Sequence, residues 1–163
     1  MLYNIIERGS HATQKTLKTW RNLIMARIKE SRKDSEVFKY TNVNPRGWKT
    51  TGDCVIRAIA TATDQAWDDV YEALCQIGAK MKRMPNDDKV YENYLQKLGI
   101  PKSPQPRKPN NKKYTIEEFA KYSRPNDTYI IRTANHLTVV KNGKIRDTWN
   151  CGDYCVGNYW TIH

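Results

Sequence analysis

The stretch that decides the fold is residues 128–149, TYIIRTANHLTVVKNGKIRDTW. β-Branched and aromatic residues are frequent in it and alternate with polar ones, which is typical of strands. Asn142-Gly143 near its middle is the dipeptide that two-residue hairpin turns favour. The stretch therefore predicts an antiparallel sheet with strands at 128–132, 136–141 and 144–149, and a last strand at 154–162.

Upstream of the predicted sheet, apolar residues recur at helical spacing. Helices are predicted from about Cys54 through CVIRAIATA, from about Gln65 to Lys80, and from about Asp88 to Leu98. Residues 99–111, GIPKSPQPRKPNN, have no periodicity and predict an exposed loop. Thr115 and Glu118 then form a capping box for a short helix. Helices followed by an antiparallel sheet indicate an α+β fold.

The N-terminal part of the chain is strongly basic. The chain has 28 Lys and Arg against 17 Asp and Glu, a net charge of +11, and residues 1–50 hold eleven of the basic and four of the acidic residues. Residues 16–31 predict an amphipathic helix, with an apolar stripe of Leu17, Trp20, Leu23, Ile24 and Ile28. We predict a basic helical extension over 1–38 and a main domain over 39–163.

Two interpretations of the extension are open. Its apolar stripe can pack on the main domain, because a tryptophan in such a stripe usually belongs to a hydrophobic core. Alternatively, its cationic face can contact nucleic acid or an acidic protein partner, because a field of this sign attracts polyanions. The candidate contact residues are Lys18, Arg21, Arg27 and Lys29.

Composition favours a cytoplasmic or virion-associated protein without a membrane segment. No run approaches the roughly 18 apolar residues that a membrane span needs. The start, MLYNIIERGSHATQK, lacks the charged, apolar and small-residue zones of a signal peptide. The four cysteines have irregular spacing, so in a reducing compartment they are thiols, metal ligands or a nucleophile.

Cys54 is the candidate nucleophile. It lies where the loop Thr51-Gly52-Asp53 gives way to a predicted helix. The positive end of the helix dipole and the unpaired backbone N–H groups of the first turn both favour a thiolate, which is the reactive form of cysteine. The same N–H groups point at an oxyanion that forms beside the sulfur. Taken alone, a buried and inert cysteine is the commoner case.

The predicted hairpin supplies a partner for Cys54. A two-residue turn pairs Lys141 with Lys144, so His136 opposes Trp149 and Asp147 lies two residues along on the same face of the sheet as His136. At that diagonal the carboxylate can orient the imidazole and stabilise its charged form. The alternative is a surface histidine and a surface aspartate on an ordinary hairpin.

The order of cysteine on an early helix, histidine on a later strand and Asp or Asn on the next strand resembles the papain-like peptidases, bacteriocin-exporter peptidase domains and cell-wall amidases. The amino-acid sequence from about Asn42 to Trp160 is similar to those of a largely uncharacterised family of small proteins from bacteriophages and Gram-positive bacteria. The matching segments are TTGDCVIRAIATATDQAWDDVYEALC, MPNDDKVYENYL, YTIEEFAKY, NHLTVVKNGKIRDTWNCG and VGNYW.

The resemblance implies a cysteine hydrolase of the peptidase, amidase or acyltransferase type, acting on a peptide or amide-bearing substrate through an acyl-enzyme. It makes Cys54 the nucleophile, His136 the general base and acid, and Asp147 the orienting group. Papain-type enzymes usually have an oxyanion-stabilising Gln six residues before the cysteine, where this chain has Trp48. Asn44, or Asn42, is the candidate replacement. The competing hypothesis is a non-catalytic papain-like binding protein.

A zinc site is the weaker alternative for the other cysteines. Cys151 and Cys155, together with Cys75 and His163, have the right donor atoms for zinc. However, Cys-x₃-Cys without a second paired motif is thin evidence for a metal site. The prediction is therefore that the protein needs no metal or other cofactor.

Overall fold

The computed structural model describes residues 3–48 and 51–163, apart from the side chains of residues 3–13 and 28. The chain divides into two compact units, Met1–Lys33 and Asp34–His163. Residues 34–38, which the sequence assigned to the extension, group with the second unit. Phe38 is fully buried in that unit's core, and an aromatic side chain buried in this way belongs to the domain that covers it.

The first unit contains one helix, α1 (Tyr3–Glu30). The helix predicted at 16–31 is therefore the C-terminal part of a longer one, which ends one residue earlier than predicted. Arg27 and Lys29 stand in its last turn, where cations interact favourably with the helix dipole. The described members of its apolar stripe, Leu17, Trp20, Leu23 and Ile24, are each more than half exposed.

The second unit contains the other four helices, α2 (Cys54–Thr63), α3 (Trp67–Met81), α4 (Asp88–Lys97) and α5 (Ile116–Tyr122). Each of the four lies within a residue or two of its predicted position. The capping box of α5 is confirmed: the Glu118 amide donates to the Thr115 hydroxyl, and the Thr115 amide donates to the Glu118 carboxylate. Local sequence signals thus placed these helices correctly.

The sheet has six strands: β1 (Phe38–Tyr40), β2 (Lys102–Ser103), β3 (Thr128–Arg132), β4 (Leu137–Lys141), β5 (Lys144–Asp147) and β6 (Tyr159–Ile162). Their order in the sheet is β1-β5-β4-β3-β6-β2. Lys141 pairs with Lys144 and Val139 with Arg146, so the predicted register of the hairpin is confirmed. The predicted antiparallel sheet is confirmed for the largest part, but the sheet is mixed, because β1 runs parallel to β5.

Helices cover both faces of the sheet. Because side chains alternate along a strand, Ile130 packs with α2, α3 and α4, whereas the adjacent Ile131 packs with α5 on the other face. The strand β2 interrupts the proline-rich segment that was predicted as a loop, pairing with β6 at the edge of the sheet. Within the described part of the chain, no helix has the length and apolar character to cross a membrane.

Candidate active site

Cys54 is the first residue of α2, as predicted, and its side chain is half-buried. The preceding loop turns into the helix through Gly52, whose φ of 70° lies in the left-handed region that favours glycine. Asp53 stands at the N-cap position, but its side chain makes no capping hydrogen bond. The carboxylate therefore leaves the first N–H groups of α2 uncapped beside the thiol.

His136 and Asp147 meet as the hairpin register predicted. His136 Nε2 lies 2.6 Å from Asp147 Oδ2, and the two side chains are 13% and 4% exposed. The Thr133 amide donates to the His136 carbonyl at 2.9 Å, and the Trp149 ring lies against the imidazole with 5.3 Å between centroids. Since Nε2 faces the carboxylate, Nδ1 is the ring nitrogen left for another partner.

Cys54 and His136 line the same cavity, and each shifts the pKa of the other. Burial raises the pKa of the Cys54 thiol, but hydrogen bonds from His136 and from the Leu137 amide outweigh burial and lower that pKa overall. Burial lowers the pKa of His136, yet hydrogen bonds to Asp147, Cys151 and Cys54 raise it to about 11. The site therefore favours a thiolate beside an imidazolium, which is the nucleophilic form.

Asp147 is held in its charged form. Burial raises the pKa of Asp147, but the hydrogen bond with His136, the charge of His136 and the hydrogen bond from the Thr148 amide outweigh burial and lower that pKa overall. The Thr148 amide donates to Asp147 Oδ1 at 2.7 Å, which leaves Oδ2 for His136. A buried carboxylate with this set of donors can fix the orientation of the imidazole.

A buried cation beneath the site was not predicted. Arg57, one turn into α2, pairs with Asp53 and places Nη2 3.5 Å from Asp147 Oδ1. Asp53 also accepts from Asn44 Nδ2 at 2.8 Å and from Trp67 Nε1 at 3.1 Å. The i,i+4 spacing of Asp53 and Arg57 was a visible signal for the first pair. No local signal indicated that Arg57 would reach Asp147.

Asn44, the predicted oxyanion donor, is buried in the loop before α2. Its side-chain Nδ2 donates to the Asp53 carboxylate, and its side-chain Oδ1 accepts from the Arg46 backbone amide at 3.0 Å. Asn42 Nδ2 donates to the Trp48 carbonyl at 3.1 Å. Both side-chain amides thus stabilise the loop before α2 by hydrogen bonds. This structural role is enough to explain why asparagine stands at these two positions. An oxyanion role for Asn44 stays a prediction.

Two cavities adjoin at the site. The smaller one, about 330 Å³, is lined by Cys54, His136 and the Asp88 and Arg132 side chains, among others. The larger one, about 900 Å³, lies on the side of the loop before α2 and includes Asp53 in its lining. Asn86 lines both cavities, so the two are neighbours along one surface.

The cysteines and histidine considered for zinc do not come together among the described residues. Cys155 is exposed, Cys75 lies on α3, and His163 contacts Asp127. Cys151 instead lies beside the candidate triad, where His136, Asp147 and Cys151 offer ligand atoms within 4.8 Å of one another. This trio could hold a zinc ion, because all three donor types bind zinc.

The four candidate contact residues for a polyanion lie on α1. Lys18, Arg21, Arg27 and Lys29 are all exposed, and none of them has an ion pair with another described side chain. No protein-family model, curated protein or solved structure matches the chain. The fold and site thus define an α+β protein in which a half-buried thiol at a helix N-terminus faces a carboxylate-bound imidazole.

Proposed function

We propose that the protein is a papain-like cysteine hydrolase that cleaves a peptide or other amide bond with Cys54, His136 and Asp147. The observation that carries the proposal is the His136 imidazole, which lies 2.6 Å from Asp147 Oδ2 and lines the same cavity as Cys54 at the start of α2. A cysteine nucleophile needs an imidazole nearby to activate it, and that imidazole needs a carboxylate to orient it. His136 and Asp147 can fill these two roles for Cys54. The resemblance to small phage-encoded proteins supports a location in the host cytoplasm or the virion.

In the acylation step, the Cys54 thiolate attacks the carbonyl carbon of the substrate amide. The resulting oxyanion is stabilised by the uncapped N–H groups at the start of α2. When the C–N bond breaks, the imidazolium of His136 gives its proton to the departing amine. The acyl group remains on the sulfur as a thioester, and His136 is left neutral.

In the deacylation step, water enters where the amine has left. His136 accepts a proton from the water as its oxygen attacks the thioester carbonyl. The C–S bond breaks, the acid is released, and the thiolate–imidazolium pair is restored. With an amine in place of water, the same two steps transfer the acyl group.

The proposal is tested by the selectivity of Cys54 for acylating and alkylating reagents. Iodoacetamide at pH 6.5 should label Cys54 faster than Cys155, whose exposed thiol is the fair comparator, and His136→Ala should remove the advantage. In addition, 4-nitrophenyl acetate should release a burst of nitrophenol and leave an acetyl group on Cys54. Equal labelling of both thiols, without a burst, would withdraw the hydrolase proposal.

A second candidate function is binding of nucleic acid or an acidic protein through α1. The observation that favours it is that Lys18, Arg21, Arg27 and Lys29 are all exposed and form no ion pair with the side chains that the structure describes. Binding to duplex DNA should weaken steeply with salt, by about −0.9 in log–log slope for each phosphate neutralised. Replacing the four residues with glutamine should reduce that slope by about 3 to 4.

A matched control separates the effect of the α1 charges on DNA affinity from the effect of the overall net charge. Lys80, Lys97, Lys112 and Lys113 are also exposed and lie in the second unit. Their replacement by glutamine removes the same charge and should leave most of the DNA affinity intact. If both sets weaken binding equally, the attraction is a property of net charge, and the candidate role of α1 is withdrawn.

A further inference from the structure

The larger cavity has an unusual lining for a solvent-facing surface. Its apolar members include Trp48, Ile56, Trp67, Tyr71, Met84 and Pro85. Trp48 is 61% exposed, Tyr71 44% and Met84 71%. Large apolar side chains that cluster around one exposed concavity are characteristic of ligand sites, because water contact with them is unfavourable.

The aromatic wall of this cavity is held in place before any ligand binds. Trp67 and Tyr71 stack on successive turns of α3, with 5.0 Å between ring centroids and 18° between ring planes. Trp67 Nε1 donates to Asp53 Oδ2 at 3.1 Å, which ties the stack to the residue before Cys54. A preordered wall loses little conformational entropy when it receives a ligand.

The proton transfer from His136 indicates which half of an amide substrate, the amine half or the acyl half, can occupy the larger cavity. His136 must give its proton to the departing amine, so the amine half lies in the smaller cavity, which His136 lines. The larger cavity contains Asp53 but not His136, and it joins the smaller one at Asn86. The larger cavity includes Asp53, the residue before Cys54, and so offers space for the acyl half of a substrate held at Cys54.

We propose that this cavity is an acyl-side specificity pocket for an aromatic or large aliphatic side chain. The inference rests on the proposed function and names its substrate class: an amide whose acyl half carries such a side chain near the cleaved bond. Of the cavity's charged members, Asp53 is buried and already paired with Arg57, and Arg46 and Asp68 are exposed to solvent. An uncharged apolar group fits the aromatic wall between them, because it removes apolar surface from water without burying either charge.

Three acetylated dipeptide chloromethyl ketones test the proposal, because each carries its side chains on the acyl side of the reactive carbon. The sequences are Phe-Gly, Gly-Phe and Gly-Gly. The Cys54 thiolate displaces chloride, forming a C–S bond as the C–Cl bond breaks. The rate at Cys54 is read by intact mass and peptide mapping. One of the two Phe probes should react at least about 10-fold faster than Gly-Gly, the discrimination that an apolar pocket typically achieves.

Two variants connect the preference to the pocket. Tyr71→Ala and Trp48→Ala should each reduce the Phe preference to within about 3-fold of Gly-Gly, with an unchanged iodoacetamide rate at Cys54. Tyr122→Ala is the matched control, since Tyr122 is 80% exposed and lies on α5, outside the lining of the cavity. It should keep the full preference.

The outcomes separate the two proposals. If Cys54 reacts selectively with iodoacetamide but none of the Phe probes exceeds Gly-Gly, the specificity pocket is refuted and the hydrolase proposal stands. A Phe preference that survives both Tyr71→Ala and Trp48→Ala also refutes this pocket, since the side chain must then bind elsewhere. Loss of selective labelling at Cys54 with iodoacetamide refutes the proposed function itself.

Discussion

Replacing Arg57 with methionine should destabilise the second unit by about 3 kcal/mol. The Arg57 side chain is 9% exposed and lies between the carboxylates of Asp53 and Asp147, which are 6% and 4% exposed. Methionine fills a similar volume without a charge, so both carboxylates lose a cation. Breaking a buried ion pair by removing one partner typically costs about 3–5 kcal/mol.

The structure favours the lower end of this range. Asp53 keeps hydrogen bonds from Asn44 and Trp67, and Asp147 keeps those from His136 and the Thr148 amide. For a chain of this size, a loss of about 3 kcal/mol corresponds to a fall of roughly 6–12 °C in melting temperature. Urea and thermal denaturation followed by circular dichroism measure the two quantities independently.

Two further variants make the argument refutable. Arg83 and Asp87 have the same i,i+4 spacing as the buried pair, but their side chains are 47% and 29% exposed, so Arg83→Met should cost less than about 1 kcal/mol. Adding Asp53→Asn to Arg57→Met should restore part of the lost stability, because it removes one unpaired charge. A loss below about 1 kcal/mol in Arg57→Met, or a double variant that is less stable still, would refute the buried-charge reasoning.

Three other predictions follow from the site and its support. Because the pKa of Cys54 is lowered and that of His136 is raised to about 11, the alkylation rate of Cys54, followed by iodoacetamide labelling and peptide mapping, should reach half of its maximum below the pH of about 8.5 that is usual for a cysteine thiol, and a midpoint at or above that pH would contradict the thiolate–imidazolium pair. Asp147→Asn removes the charge that raises the pKa of His136, so Cys54 alkylation at pH 6 should slow by about 10-fold or more, and an unchanged rate would contradict the role of Asp147. Thr115→Ala removes the α5 cap and should cost about 1 kcal/mol in urea denaturation without altering the Cys54 pH profile.

Much of the candidate site was predictable because its residues are positioned by local rules. Asn142-Gly143 sets the hairpin register, and that register alone places His136 and Asp147 on one face. The loop-to-helix transition at Gly52 and Asp53 places Cys54 at a helix start. These signals depend on residues within a turn or a hairpin, where the physical cause lies next to its effect in the sequence.

The strands β1 and β2 were missed because they are too short to show a period. β1 has three residues and β2 has two, and each becomes a strand only through pairing with a distant segment, β5 and β6 respectively. The parallel pairing of β1 with β5 also depends on a long connection, which contains the four helices α2 to α5 and the strands β2, β3 and β4. Such pairings carry no signal in either segment alone.

From the sequence by itself came the α+β class, the hairpin, and the prediction that Cys54, His136 and Asp147 act together. Tertiary structure decided what surrounds them: Arg57 beneath Asp147, the tie from Trp67 to Asp53, and Cys151 within reach of His136. Hairpin and helix geometry join residues a few positions apart, whereas Arg57 and Asp147 meet only after α2 packs on the sheet. Contacts of that kind depend on the packing of whole elements, which no short pattern encodes.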